Sequence, residues 1–287
     1  MTQVTRTSED YEPANVQAAY SALLEVAASL QSYKGATILI GGWVPYLLLK
    51  SHQRPDNPFR HVGSLDSDWV LDPRLVNERE YESIVRTLAK RGFAQSEDRL
   101  FRLEKKLLTS TGDELIAAVD FLTEPALKGE GSRRRHRRLQ ADLRARTTPG
   151  ARIAIAHSEA FELDGELPGG GRLAVPIRIA DVTGSIGTKG LALGNRLLEK
   201  DSYDLYALIA NYENGPVDVA AQVRPFINEP LFKESLEHIL RWFKDIGSAG
   251  PVAVANFFPN EVGAARERIV RDAFQNVNRF LRELGFI

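Results

Sequence analysis

The stretch "ATILIGGWVPYLLLK", residues 36–50, constrains the fold more than any other part of the chain. Thr37 to Ile40 reads as a short buried strand, and Gly41-Gly42 stops it. The chain restarts at once as an apolar helix, "WVPYLLLKS", in which Pro45 is tolerable because it falls within the first turn. A strand that turns through two glycines into a helix is a unit from which α/β folds are built.

The flanking segments continue that pattern. Residues 14–32 carry alanines and leucines at helical spacing, and 51–63 read as a loop on their proline content. "SDWVLD" is the next strand, ended by Pro73, and "NEREYESIVRTLAKRGF" is an amphipathic helix closed by Gly92. Strands follow at 99–106 and 114–123, so the order predicts a small mixed α/β (α+β) sheet with flanking helices. Beyond it, "ARIAIAHSEAFEL" and "GRLAVPIRIAD" flank "PGGG" as a β-hairpin, and from Gly187 the pattern is helical, with Trp242, Phe243, Phe257 and Phe258 as core. The expected division is a core over 1–125, a basic loop and β-hairpin over 126–185, and a helical region over 186–287.

Charge is unevenly spread. The formal net charge is -1, yet Arg133 to Arg152 holds eight arginines and one acid, Asp142, so the other 267 residues carry -8. Such asymmetry points to a polyanionic partner. Within "RRRHRR", Arg133, Arg134, Arg135, Arg137 and Arg138 suit a nucleic-acid backbone, and equally a solvated loop. No aromatic residue interleaves the run, which leaves base stacking there unsupported, and His136 reads as a spectator. His52, His61, His157 and His238 lack metal-ligand spacing. Zero cysteines exclude disulfides and thiolate metal sites. No apolar run reaches the roughly 18 residues that span a bilayer, and the polar N-terminus lacks a secretion signal, so the expectation is a cytoplasmic protein with no membrane partner.

Three sets of residues carry chemistry. Asp66 and Asp68 alternate with Ser67, so on a strand both carboxylates point to one face, where magnesium would relieve their repulsion. An isolated Asp-x-Asp also fits a solvated strand end. Asp120, inside "IAAVDFL", is a carboxylate in a buried strand and needs a cation, a hydrogen-bonding partner or a metal. With Asp66 and Asp68 beside it, it could hold two metal ions, as in-line phosphoryl chemistry uses; a salt-bridged core aspartate is the competing reading. Gly41 and Gly42, at a helix start, fit a phosphate cradle or a plain tight turn, and Ser64 adds a hydroxyl or is an ordinary loop serine. In "TKGLALGNRLLEKDSYDLYALI", Lys189, Arg196 and Lys200 fall on one expected helix, followed by Asp201 and Asp204. They form a cationic face for a triphosphate or a helix laced with ion pairs.

"LIGGW", "SLDSD", "AVDFL" and "TKGLAL…R…EKDSYDL", spread over about residues 37–208, resemble the polymerase-beta-like nucleotidyltransferase superfamily. More narrowly they resemble the AbiE-type (AbiEii) toxin nucleotidyltransferases of abortive-infection toxin–antitoxin pairs. The resemblance implies that Asp66 and Asp68 bind two Mg2+ ions and the nucleoside triphosphate. It implies that Asp120 completes the metal site and helps activate the attacking hydroxyl, that Lys189 meets the phosphates, and that Asp201 or Asp204 is the later acidic residue. The implied reaction moves a nucleoside monophosphate from a triphosphate such as ATP or GTP to an acceptor hydroxyl, most plausibly on tRNA, with a cognate antitoxin as partner. A small-molecule (antibiotic-type) nucleotidyltransferase and a non-catalytic nucleotide-binding module share the fold. Trp43 and Leu65 stand where small or polar residues are usual, and the basic loop and hairpin are long.

Overall fold

A computed structural model describes residues 6–76, 82–126, 135–196 and 198–287. Its elements are α1 (Pro13–Ser29), β1 (Thr37–Ile40), α2 (Trp43–His52), β2 (Asp66–Leu71), α3 (Ile84–Ala89), β3 (Ala94–Gln95), β4 (Arg102–Leu108) and β5 (Glu114–Thr123). There follow β6 (His136–Arg138), β7 (Arg144–Thr147), α4 (Gly150–Ala156), β8 (Ser158–Glu166), β9 (Arg172–Ala180) and α5 (Val182–Asn195). The chain ends with α6 (Glu199–Asn211), α7 (Pro216–Val223), α8 (Pro230–Trp242), α9 (Ala249–Asn256) and α10 (Gly263–Leu284). The architecture is mixed α/β, and no helix among the described residues is long and apolar enough to cross a membrane.

The chain divides into two compact units that are not contiguous in sequence. The sheet unit takes Pro13–Ile40 and Ser64–Ala180. Among the described residues its strands run in the order β3-β4-β5-β2-β1-β9-β8, with β7 against the end of β5 and β6 beyond β7. β2 is parallel to β5 and antiparallel to β1, and β4 is antiparallel to β5. The β8–β9 hairpin is therefore part of the same sheet, not an extension that follows a finished core, because β9 lies parallel beside β1. β1 explains why. All four of its residues are buried, and a strand buried on both faces belongs in the middle of a sheet with a neighbour on each side.

Two expected elements come out differently. "ARIAIA" is helical, not the first hairpin strand: with Gly150 before it, its buried residues Ala151, Ile153 and Ala154 recur at a spacing of three, which makes a helical stripe. The helix expected over 77–93 is described only as α3, which starts at an N-cap, Ser83, whose hydroxyl accepts from the Arg86 amide at 3.1 Å. Residues 77–81 of that expectation lie outside the described residues. Buried Gln140 fixes the start of α3, accepting from the Ile84 amide at 2.9 Å and donating to the Tyr33 hydroxyl at 2.8 Å.

One face of the sheet packs on α1. Leu39, Trp69, Leu103 and Phe121 share that face by register and are buried, as are Leu23, Leu24 and Val26 of α1. Lys105, on the same face, reaches Glu25 of α1 at 2.6 Å.

The helical unit takes the described residues up to Glu12, with Gly41–Gly63 and Asp181–Ile287. α5 and α8 approach closely at glycine: a Cβ on Gly190 would lie 2.0 Å from the Ser235 hydroxyl and 2.7 Å from its carbonyl oxygen. The expectation that Lys189, Arg196 and Lys200 share one helix does not hold. α5 ends at Asn195, Arg196 is extended, and α6 begins anew with Glu199 and Asp201 in its first turn, where carboxylates favour a helix start. Phe243 and Phe257 are core, while Trp242 and Phe258 are half-buried.

Candidate active site

Alternation along β2 puts Asp66 and Asp68 on one face. β2 and β5 pair in register, Asp66 with Ala118 and Asp68 with Asp120, and cross-strand neighbours share a face. The three carboxylates therefore lie on one face, the one opposite α1. Asp66 and Asp68 are half-buried, whereas Asp120 is only 7% exposed. β4 supplies its counter-charge. Arg102 stands in register with Asp120 and donates to both its oxygens, Nε to Oδ1 at 2.6 Å and Nη2 to Oδ2 at 2.9 Å. Burial disfavours the guanidinium cation, but the Asp120 hydrogen bonds and the charges of Asp120, Asp66 and Asp68 outweigh it and hold its pKa above the ordinary value. Asp120 is thus a salt-bridged carboxylate, on the same face as the Asp-x-Asp pair.

Those oxygens test the fit to magnesium. Asp66 and Asp68, half-exposed hard donors on one face, suit a hard divalent cation that keeps water or phosphate as its other ligands. Asp120 adds a ligand only by sharing or releasing an oxygen held by Arg102. The Ser64 hydroxyl donates to the Asp66 carbonyl oxygen at 3.1 Å, so its proton is used within its own turn.

A basic edge adjoins this face. Arg146 of β7 pairs with Leu122, two residues beyond Asp120, and with His136 of β6. The Phe101 ring stacks on His136 with centroids 5.6 Å apart, and the Arg146 guanidinium lies 5.3 Å from its centroid. Arg135 and Arg138 are exposed and Arg137 half-buried; Arg138 donates to the Ala141 carbonyl oxygen at 2.7 Å. Arg133 and Arg134 lie outside the described residues. The described part of the run is a strand, and an aromatic ring stands beside it after all, supplied by the segment before β4.

No protein-family model matches the chain, and no curated protein matches it.

The remaining candidates belong to the helical unit. Gly41 adopts φ 79°, open to glycine at little strain, and its carbonyl accepts from the Val44 amide at 3.4 Å, a turn into α2. Gly42 is the N-cap of α2 and makes no side-chain cap. Trp43 is buried against Tyr46, edge to face at 5.6 Å. Lys189, 6% exposed, donates to Asp201 Oδ1 at 3.2 Å and Asp204 Oδ2 at 2.6 Å. Asp201 Oδ2 accepts from Arg196 at 3.1 Å, while Asp204 Oδ1 accepts from Lys200 and lies 3.1 Å from His61 Nε2. Lys200 also sits over the rings of Tyr11 and Tyr203.

Burial alone would neutralise these groups, and partners decide which stay charged. Lys189 is pushed down by burial, but Asp204 and Asp201 more than reverse this and hold it above the ordinary lysine value. Asp204 is pushed up by burial and pulled well below the carboxylate range by Lys189 and Lys200. Lys200 itself is lowered, since its burial exceeds what Asp204 returns. His61 is lowered to about 4, chiefly by burial and then by Lys200. Its tautomer is fixed: Nδ1 accepts from the Gly63 amide at 3.1 Å, leaving Nε2–H to donate to Asp204. Lys189 is thus held by both aspartates at once, inside a buried network.

Sequence reasoning missed Arg102, His61 and Phe101. For Arg102 a signal existed in the β4–β5 turn. Gly112 has φ 88° and the Thr109 amide bonds the Asp113 carbonyl; counting outward from there pairs Leu108 with Glu114 and so Arg102 with Asp120. His61 meets a partner far along the chain and left no local trace.

Proposed function

We propose that the chain is a divalent-metal-dependent nucleotidyltransferase that moves a nucleoside monophosphate from a nucleoside triphosphate to an acceptor hydroxyl on RNA. The observation that carries the reading is the shared face of Asp66, Asp68 and Asp120 on adjacent, in-register strands, with two of the three only half-buried. Asp66 and Asp68 hold the magnesium, which when bound neutralises the triphosphate and polarises its α-phosphate. The acceptor oxygen bonds to the α-phosphorus, the bond to the β-phosphate oxygen breaks, and pyrophosphate leaves with the electron pair. The hydroxyl proton passes to Asp120, whose other oxygen stays on Arg102, and from there to water. Support for an RNA acceptor comes from the basic edge beside that face, where Arg135, Arg138 and Arg144 are exposed. The roles of Gly41, Gly42 and Lys189 toward the nucleotide, tRNA as the particular RNA, and an antitoxin partner rest on the resemblance alone.

The test is incubation of the full chain with each α-labelled triphosphate, Mg2+ and total RNA. Label should pass to RNA, vanish in Asp66→Ala, and fall steeply when Arg135, Arg137 and Arg138 are changed together to glutamine. Label on a small acceptor, indifferent to the arginines, would replace RNA with a small-molecule acceptor. The ion pair that occupies Asp120 favours a second reading, a module that binds nucleotide without transferring it. Triphosphate binding that needs Asp66, with no transfer to RNA, protein or small acceptors, would establish that reading.

A further inference from the structure

We propose that Arg102 stands where a second metal ion would otherwise sit, so that the carboxylate face takes one divalent cation rather than two. The inference rests on the nucleotidyltransferase reading and departs from the two-ion site that the resemblance implies. Two cations between three carboxylates require each carboxylate to turn oxygens toward the metals. Here both oxygens of Asp120 point at one guanidinium, at 2.6 and 2.9 Å, in the fork geometry that suits a carboxylate. The arginine does not reach across from a mobile surface. It comes from the adjacent strand, in register, with its side chain only 15% exposed, so it is held by the sheet. Its charge is felt by Asp66 and Asp68 as well as Asp120.

Charge balance points the same way. Three carboxylates less one guanidinium leave two negative charges, which one divalent ion neutralises and two would exceed. A second cation would have to approach Asp120 from beside a buried positive charge, against direct repulsion. Arg102 then has the fixed-charge role of a second ion, without being lost to chelation or exchange.

The experiment counts ions on the full chain with Mn2+ alone, by calorimetric titration and by the loss of the free-ion electron paramagnetic resonance signal. The wild-type protein should bind one Mn2+ per chain, lost in Asp66→Asn. Arg102→Gln should bind two, because Asp120 becomes available, and Arg102→Lys, which keeps a positive charge, should stay at one. Two ions on the wild-type chain would overturn the inference while leaving the metal-dependent reading intact. One ion on a folded Arg102→Gln would overturn it too. Should Arg102→Gln fail to fold, the wild-type count still decides. No Asp66-dependent Mn2+ at all would defeat the nucleotidyltransferase reading itself, and this inference with it.

Discussion

Acidification should loosen the helical unit through one residue, His61. The folded chain binds its proton near pH 4, whereas an unfolded histidine binds it near 6.5. Between those values the unfolded state carries the extra proton, so stability rises with pH across the window and falls as pH drops. At pH 5 the unfolded histidine is almost fully protonated and the folded one about a tenth so, which amounts to a loss of about 2 kcal/mol relative to pH 7. The cause is geometric. Nδ1 already accepts the Gly63 amide, so a proton there would meet another donor, in a pocket shared with Lys189 and Lys200. Urea unfolding followed by tryptophan emission can isolate this, because Trp43 and Trp242 both lie in the helical unit. In a Trp69→Phe background, the free energy should fall by about 2 kcal/mol from pH 7 to 5, and by well under half of that in His61→Gln. The two variants are compared by slope, so the hydrogen bond lost in His61→Gln does not enter. An equal slope with and without His61 would refute the reasoning, since some other group would then be taking up the proton.

Three further outcomes are expected. Asp204→Ala strands Lys200 and leaves Lys189 with Asp201 alone, in a site where the aspartate is 0% exposed, and should destabilise the chain by roughly 3–5 kcal/mol in the same urea assay. Gly190→Ala gains about 1 kcal/mol of helix propensity but drives its Cβ toward the Ser235 carbonyl, 2.7 Å away, so the thermal midpoint should fall, with a net loss on the order of 2 kcal/mol. Asp68→Ala, at a half-buried position, should abolish labelled-nucleotide transfer while shifting the urea midpoint little, since Arg102 keeps both its hydrogen bonds to Asp120; a large stability loss would mean the Asp68 carboxylate holds the sheet together.

What the sequence made legible is what is decided within a few residues. The span of β1 and the glycine turn after it follow from local chemistry, and alternation alone put Asp66 and Asp68 on a common face. What it left illegible depends on pairing. "IAAVDFL" announces a buried carboxylate, but whether its partner is a metal or a guanidinium turns on the register of the next strand, and a shift of one residue there would send Arg102 to the α1 side. Lys189 shows the same limit in a helix. Its spacing to Arg196 suggested one cationic face, yet the break after Asn195 brings Lys200 back onto Asp204 from a second helix, turning an expected surface into a closed network. An all-buried strand carries more than its own length implies, however. Thr37 to Ile40 requires a neighbour on both edges; β2 supplies one, and β9, from much later in the chain, supplies the other.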